Sequence, residues 1–204
     1  MVIIHNSMSK IHNTTKDKIL KFLLSSKNNE FTIRSISKNI SVDYKTVYLI
    51  TKELIKTGII NSKKIGQTIL CSINQNKFNS DVFRAELIRR EELFKNKNLL
   101  VLHNYFKDIE EPFFVLLLFG SYASGKQRKG SDIDLVLIAD DENIKKQVKS
   151  RLSLIPLKVH LIDFNSKEFL SMLKTTEFNV GKEIFNNNII LFGIEDYYRI
   201  IKNA

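Results

Sequence analysis

The sequence predicts an α+β protein in three parts: a basic N-terminal module of helices and a hairpin, a helical connector, and a C-terminal domain on a mixed sheet. Three observations predict it. Charge is uneven: residues 1–75 carry +8 of the net +10, residues 76–111 are neutral, and residues 112–204 carry +2. Residues 77–111 hold neither glycine nor proline, and their apolar residues recur at helical spacing. From Pro112 onward, short apolar runs of strand length alternate with turns and charged helical stretches. The expected boundaries are therefore 1–75, 76–111 and 112–204.

A chain of 204 residues, 43% of them hydrophobic, has the material for real cores. The longest uninterrupted apolar run, residues 113–119, is far short of the roughly 20 residues of a bilayer span, so no membrane association is expected. The opening "MVIIHNSMSK" has no extended apolar core and no small-residue cleavage site. With a single cysteine, Cys71, no internal disulfide can form, which suits a cytoplasmic chain. Cys71 itself reads as a small buried hydrophobe on a strand.

In the first part, "TTKDKILKFLL" opens with Thr14 as an N-cap and Asp17 three residues on, followed by Ile19, Leu20, Leu23 and Leu24 at helical spacing. A short helix "IRSISKNI" leads through Ser41 to a third helix over 43–56. There Val47, Ile50 and Leu54 share one face, and Lys45, Tyr48 and Lys52 share the opposite one. Gly58 stops this helix, and "IINSKKIGQTILCSI" reads as a hairpin with a basic tip of Lys63, Lys64 and Gly66. The pattern resembles the winged helix-turn-helix DNA-binding family. The resemblance implies double-stranded DNA as a partner, with the third helix in a major groove. Asp43, Tyr44, Lys45, Thr46, Tyr48 and Lys52 would then reach bases or phosphates, and Lys63 and Lys64 the backbone. A module that dimerises or docks a protein, its lysines simply solvated, is the alternative for the same residues.

The connector has an apolar stripe of Phe83, Leu87 and Phe94, which suits packing against the sheet that follows; a dimer-forming helix is the alternative. His103, among aliphatic neighbours, reads as a packed or surface histidine. The third part has candidate strands at 113–119, 133–139 and 157–164, and in "NIILFG". Its helices are expected in "DENIKKQVKSRLSL", around 166–174 and 177–186, and in "EDYYRII". The connection from Gly120 to Ser131 is too short for a parallel crossover, so a mixed sheet is expected.

The stretch "LLLFGSYASGKQRKGSDIDLVLIAD" carries the chemistry. A glycine at 120 lets a polyphosphate approach the backbone, and the Ser121 hydroxyl adds a donor. Asp132 and Asp134, spaced i, i+2, project from one face of a strand. Like charges held that close call for a cation between them, and hard oxygen ligands favour Mg2+ or Mn2+. Lys126, Arg128 and Lys129 in the loop either hold phosphates or are solvated.

Gly120-Ser121, Gly125 and Ser131-Asp132-Ile133-Asp134-Leu135 fit GSxxxGxxxxxSDxDL at every fixed position. In this the chain resembles the minimal nucleotidyltransferases of the DNA polymerase β-like superfamily. Together with a winged helix-turn-helix, the layout is similar to a prokaryotic, mainly archaeal group. The resemblance implies a nucleoside triphosphate at Gly120, Ser121, Gly125 and Ser131, with metal at Asp132 and Asp134. The implied reaction is transfer of a nucleoside monophosphate, foremost AMP from ATP, to a protein or nucleic-acid hydroxyl. Stand-alone members resemble antitoxins that adenylylate a toxin ribonuclease. A toxin-like protein partner, autoregulated transcription and a homodimer are thus among the implications.

The superfamily takes a third carboxylate from a later strand. The matching segment, "LKVHLIDF", has His160 between Val159 and Leu161, and Asp163 on a regular strand would face away from it. His160 could serve as general base or as ligand for a softer metal. Two further readings are nucleotide binding without turnover, and a transferase fold kept as a sensor or docking scaffold beside a DNA-binding module.

Overall fold

The computed structural model describes residues 13–107, 109 and 113–202. Pro112 and the opening "MVIIHNSMSK" lie outside them. Helix α1 (Thr15–Leu24) starts at a capping box: Thr14 Oγ1 accepts from the Asp17 amide, and the Asp17 carboxylate accepts from the Thr14 amide at 2.9 Å. Thr32 caps α2 (Ile33–Ile40), and Ser41 ends it in the left-handed region at φ 53°. Helix α3 (Tyr44–Lys56) buries Val47, Thr51 and Leu54. Strands β2 (Ile60–Ile65) and β3 (Thr68–Ile73) form a hairpin turning at Gly66. A short strand β1 (Phe31–Thr32), not foreseen, pairs with the other edge of β3 to give the antiparallel order β1-β3-β2. Two residues are too few to show a periodicity. Cys71 is buried on β3, and burial pushes its thiol up to about 11.

The connector is two helices rather than one run, α4 (Ser80–Leu93) and α5 (Lys97–Phe106). Asn96 makes the break: its side chain accepts from the Asn98 amide at 3.0 Å and caps α5, a competition with the helix that needs no glycine or proline. The buried face of α4 also departs from the expected stripe. Val82, Ala85, Glu86, Ile88 and Arg89 are buried, whereas Phe83 and Leu87 are half-buried.

The second sheet has the order β6-β5-β4-β7. Strand β4 (Val115–Phe119) runs antiparallel to β5 (Ile133–Ile138) and to β7 (Ile189–Phe192), and β5 runs parallel to β6 (Val159–Phe164). The sheet is therefore mixed. The remaining helices are α6 (Gly120–Ala123), α7 (Glu142–Ser153), α8 (Ser166–Lys174), α9 (Val180–Asn186) and α10 (Ile194–Ile201). No helix among the described residues is long and apolar enough to cross a membrane.

Alternation along the strands sends side chains to two cores. Leu116, Leu118, Leu135 and Leu137 join Leu99, Leu102 and Phe106 of α5 and Val148 of α7. Leu117, Val136 and Ile190, on the other face, join Phe169, Ile184 and Tyr197 in a cluster that continues without interruption into Ile19, Leu23 and Val47. The N-terminal module and one face of the sheet thus share a core.

His103 lies between two rings, 4.4 Å from Phe94 and stacked at 4.8 Å on Phe192. Its Nδ1 is buried with no hydrogen-bond partner among the described residues. Burial, with Arg90 and Lys107 adding to it, lowers the ring from 6.5 to about 4. The stability tied to this neutral ring is fully present above pH 6.5 and is lost as pH falls through about 4. His103→Phe should lose less stability than the wild type between pH 7 and pH 4, read as the shift in urea midpoint. Equal losses in the two proteins would clear His103 as an acid-sensitive group.

Candidate functional site

The site residues meet at one end of the second sheet. Strand β4 ends at Phe119 and turns into α6, β5 begins at Ile133, and β6 begins at Val159. Register then does the positioning: Asp134 is opposite Phe119 on one side and opposite His160 on the other. Asp134 is the one position on β5 that is not buried. Its Oδ1 lies 3.6 Å from Nδ1 of His160, whose side chain is 63% exposed. Asp132 is exposed, one residue ahead of the strand.

Gly120 is required for a reason beyond ligand access. It takes φ +68°, and a Cβ there would stand 2.4 Å from Asp134 Oδ2. Turn and carboxylate are therefore in direct apposition. Ser121 follows, half-buried, on α6, and Gly125 (φ +67°) reverses the chain after it. The Ser131 Oγ accepts from the Arg128 amide at 2.9 Å, closing the loop that carries Lys126, Arg128 and Lys129, all exposed, and its own proton is left to donate.

Asp163 is settled by the same register. The β5–β6 pairing has no shift from Ile133↔Val159 to Ile138↔Phe164, so Asp163 sits opposite Leu137. It points to α7, with Lys149 Nζ at 2.8 Å and Lys145 Nζ at 3.9 Å. His160, not Asp163, stands beside Asp134.

No three His, Cys, Asp or Glu side chains among the described residues converge to cage an ion by themselves. A magnesium-type site bound to a nucleotide needs one or two carboxylates, with phosphates completing the shell, and Asp132 and Asp134 fit that requirement. Asn187 was not foreseen in the sequence. It follows α9, and its Nδ2 donates to the Gly120 carbonyl at 3.5 Å. Only the fold brings it there, and an asparagine in "NNN" gives no signal. A cleft of about 570 Å³ reaches the far side of the same turn, lined by Lys18, Lys21 and Phe22 and by Tyr122, Ala123 and Gly125, but not by Ser121, Asp134 or His160.

The residues expected to meet DNA lie elsewhere, on α3 and the hairpin. Tyr44 is 51% exposed, and Lys45 and Lys52 are exposed. Tyr48 is half-buried, 6.0 Å from Tyr44 and 5.8 Å beneath the Lys52 ammonium. Asp43 is the N-cap of α3, its Oδ1 accepting from the Thr46 backbone amide at 2.9 Å, which accounts structurally for Asp43. Lys63 and Lys64 are exposed but belong to β2, not to the turn, so they point to opposite faces of the hairpin. Leu49, 58% exposed one turn after Lys45, was not foreseen.

Residues 101–190 match the family described as polymerase beta, nucleotidyltransferase. The C-terminal part of the chain is similar to nucleotidyltransferase domains of that type. No curated protein matches the chain. Among solved structures, a "crystal structure of the toxin-antitoxin with AMP-PNP" is similar at 22% identity, over 52% of this chain and 81% of that one, with a TM-score of 0.34.

Gly120→Ala should destabilise the protein by about 1–3 kcal/mol, combining left-handed strain with the clash against Asp134. The double variant with Asp134→Ala should lose less than the sum of the single losses, because the clash is removed. Chemical denaturation of the four proteins reads this, and strict additivity would mean that the carboxylate does not sit against the turn.

Proposed function

We propose that the protein is a divalent-metal-dependent nucleotidyltransferase that also binds duplex DNA. The direct apposition of Gly120 and Asp134 carries the reading. A triphosphate received at the Gly120–Ser121 turn would have its phosphates beside the Asp134 carboxylate, the geometry that in-line transfer needs. The match of residues 101–190 to a nucleotidyltransferase family supports it independently.

In the proposed reaction Gly120, Ser121 and Gly125 bind the nucleotide, and Ser131 keeps the basic loop closed. Asp132 and Asp134 hold Mg2+ or Mn2+, which when bound neutralises charge on the transferred phosphate and the leaving pyrophosphate. His160, exposed beside Asp134, takes the proton of the attacking hydroxyl. The transferred group is a nucleoside monophosphate, AMP from ATP first, and the acceptor is a protein or nucleic-acid hydroxyl. A toxin-like protein is one such acceptor. In this reading the protein works in the cytoplasm as an antitoxin-like, autoregulating repressor of the prokaryotic, mainly archaeal kind.

For the N-terminal module the proposed architecture is a winged helix-turn-helix. Its support is the placement of Tyr44, Lys45, Lys52 and Leu49 on the exposed side of α3, with the charge of +8 in residues 1–75. A homodimer would pair two such modules on half-sites.

One observation favours a second reading, a DNA-bound regulator that binds nucleotide without turnover. The third carboxylate position is occupied by an imidazole, a poor ligand for magnesium.

Labelled ATP with Mg2+ or Mn2+ and host lysate separates the two. Transfer that is lost in Asp134→Asn, with nucleotide affinity down by at least about tenfold, is expected of the enzyme. Nucleotide binding with no transfer, and none gained on His160→Asp, would select the regulator. For DNA, binding should weaken steeply with salt. Lys45→Ala should flatten the slope of log K against log salt by about 0.9 for each phosphate it no longer neutralises. Binding that ignores salt would assign the module to a protein partner.

A further inference from the structure

Lys27 follows α1 in the N-terminal module and is 5% exposed. Its ammonium donates to the Phe185 carbonyl at 3.3 Å and to Asn188 Oδ1 at 3.2 Å, and lies 5.7 Å over the Phe185 ring and 5.5 Å over the Tyr197 ring. Lys27 makes no ion pair among the described residues, and all these partners are neutral. A buried ammonium so placed is an expensive group: a thioether of similar length would fill its volume with no charge to desolvate. Stability alone does not account for a lysine here.

What the ammonium does is fix Asn188. That side chain, fully buried, also donates to the Ile184 carbonyl at 2.7 Å and to the Tyr197 hydroxyl at 2.9 Å. The backbone carbonyl of the same residue accepts from Arg89 Nη2 at 2.7 Å. Asn188 adjoins Asn187, the C-cap of α9 at φ −138°, ψ 80°, whose amide donates to the Glu183 carbonyl at 3.1 Å, so it is held on one side by the helix end and on the other by its anchored neighbour. Asn187 in turn donates to the carbonyl of Gly120, the glycine pressed against Asp134.

We propose that Lys27 and Asn188 are positioning residues for the nucleotide site: through Asn187 they hold the Gly120–Ser121 turn, so the N-terminal module completes the support of the transferase site. The proposal rests on the nucleotide reading of that turn. It makes the position of the N-terminal module a determinant of nucleotide affinity. Any ligand that shifts α1 relative to the sheet acts on the turn, and nucleotide acts back on that ligand.

The test uses the full-length protein, a non-hydrolysable ATP analogue with Mn2+, and two variants, Lys27→Met and Asn187→Ala. Each should weaken the analogue by about five- to tenfold, the worth of one lost positioning hydrogen bond. The thermal midpoint of Lys27→Met should move little, because removal of a buried charge is offset by the donor lost to Asn188 Oδ1 and the Phe185 carbonyl. Affinity lost while stability is kept is a split that a merely structural lysine would not give. Wild-type affinity in Lys27→Met, or loss of affinity only in step with a lowered midpoint in both variants, would overturn the proposal. A wild-type protein that binds no analogue would remove the nucleotide reading first, and this proposal with it.

Discussion

The rest of the structure hangs on the buried pair of Glu86 and Arg89 on α4. Arg89 Nη1 donates to Glu86 Oε2 at 2.6 Å, and the Tyr198 hydroxyl donates to the other carboxylate oxygen at 2.9 Å. The second guanidinium nitrogen, with Arg90 Nη1, reaches the Asn188 and Leu191 carbonyls flanking and within β7. Strand β7 is an edge, and its outward carbonyls would otherwise face whatever packed there unsatisfied. The arginines of α4 close that edge. The same helix is tied to α1 by Arg84 to Asp17 at 3.1 Å and Lys21 to Glu92 at 2.6 Å. Removing either member of the buried pair would leave the other charged and unpaired in a dry interior, a loss of about 3–5 kcal/mol.

This arrangement explains why a single core serves both ends of the chain. Once α4 is fixed to β7 on one side and α1 on another, the apolar faces of α1 and α10 have no separate solvents to avoid, and they merge. Cutting the chain near residue 75 would therefore expose Ile19, Leu23 and their partners across the sheet, not release an independent module. Variants on the surface of α3 are the cleaner probe of anything that module binds.

The sequence made the fold legible wherever one segment decides its own structure. The capping box of Thr14 and Asp17, the amphipathic α3, the strand runs and the mixed sheet required by a short 120–131 connection all follow from local pattern. His160 at the site was legible only through the family resemblance, and the β5–β6 register is what puts it beside Asp134. Three things were not readable. The α4–α5 break depends on an asparagine cap, the buried face of α4 carries an ion pair, and Asn187 reaches Gly120 from 67 residues away. Each is a tertiary satisfaction of polar groups, for which hydrophobic periodicity has no symbol. Ser131 and Asp43, marked by motif and by helix-face position, also serve the backbone, each accepting an amide hydrogen bond.

The departure at His160 can be located physically. An unshifted parallel register leaves Asp163 on the far face of β6, where it balances Lys149 and Lys145 on α7. A one-residue bulge would turn Asp163 to the face of His160 but leave it opposite Val136, and it would invert the side chains after it, displacing the half-buried Phe164 from the core. The chemistry available to this site therefore turns on one exposed imidazole at a position the strand already presents correctly. That makes its replacement by a carboxylate a change of donor type with almost no structural consequence, and the difference between the two proteins a direct reading of what the imidazole contributes.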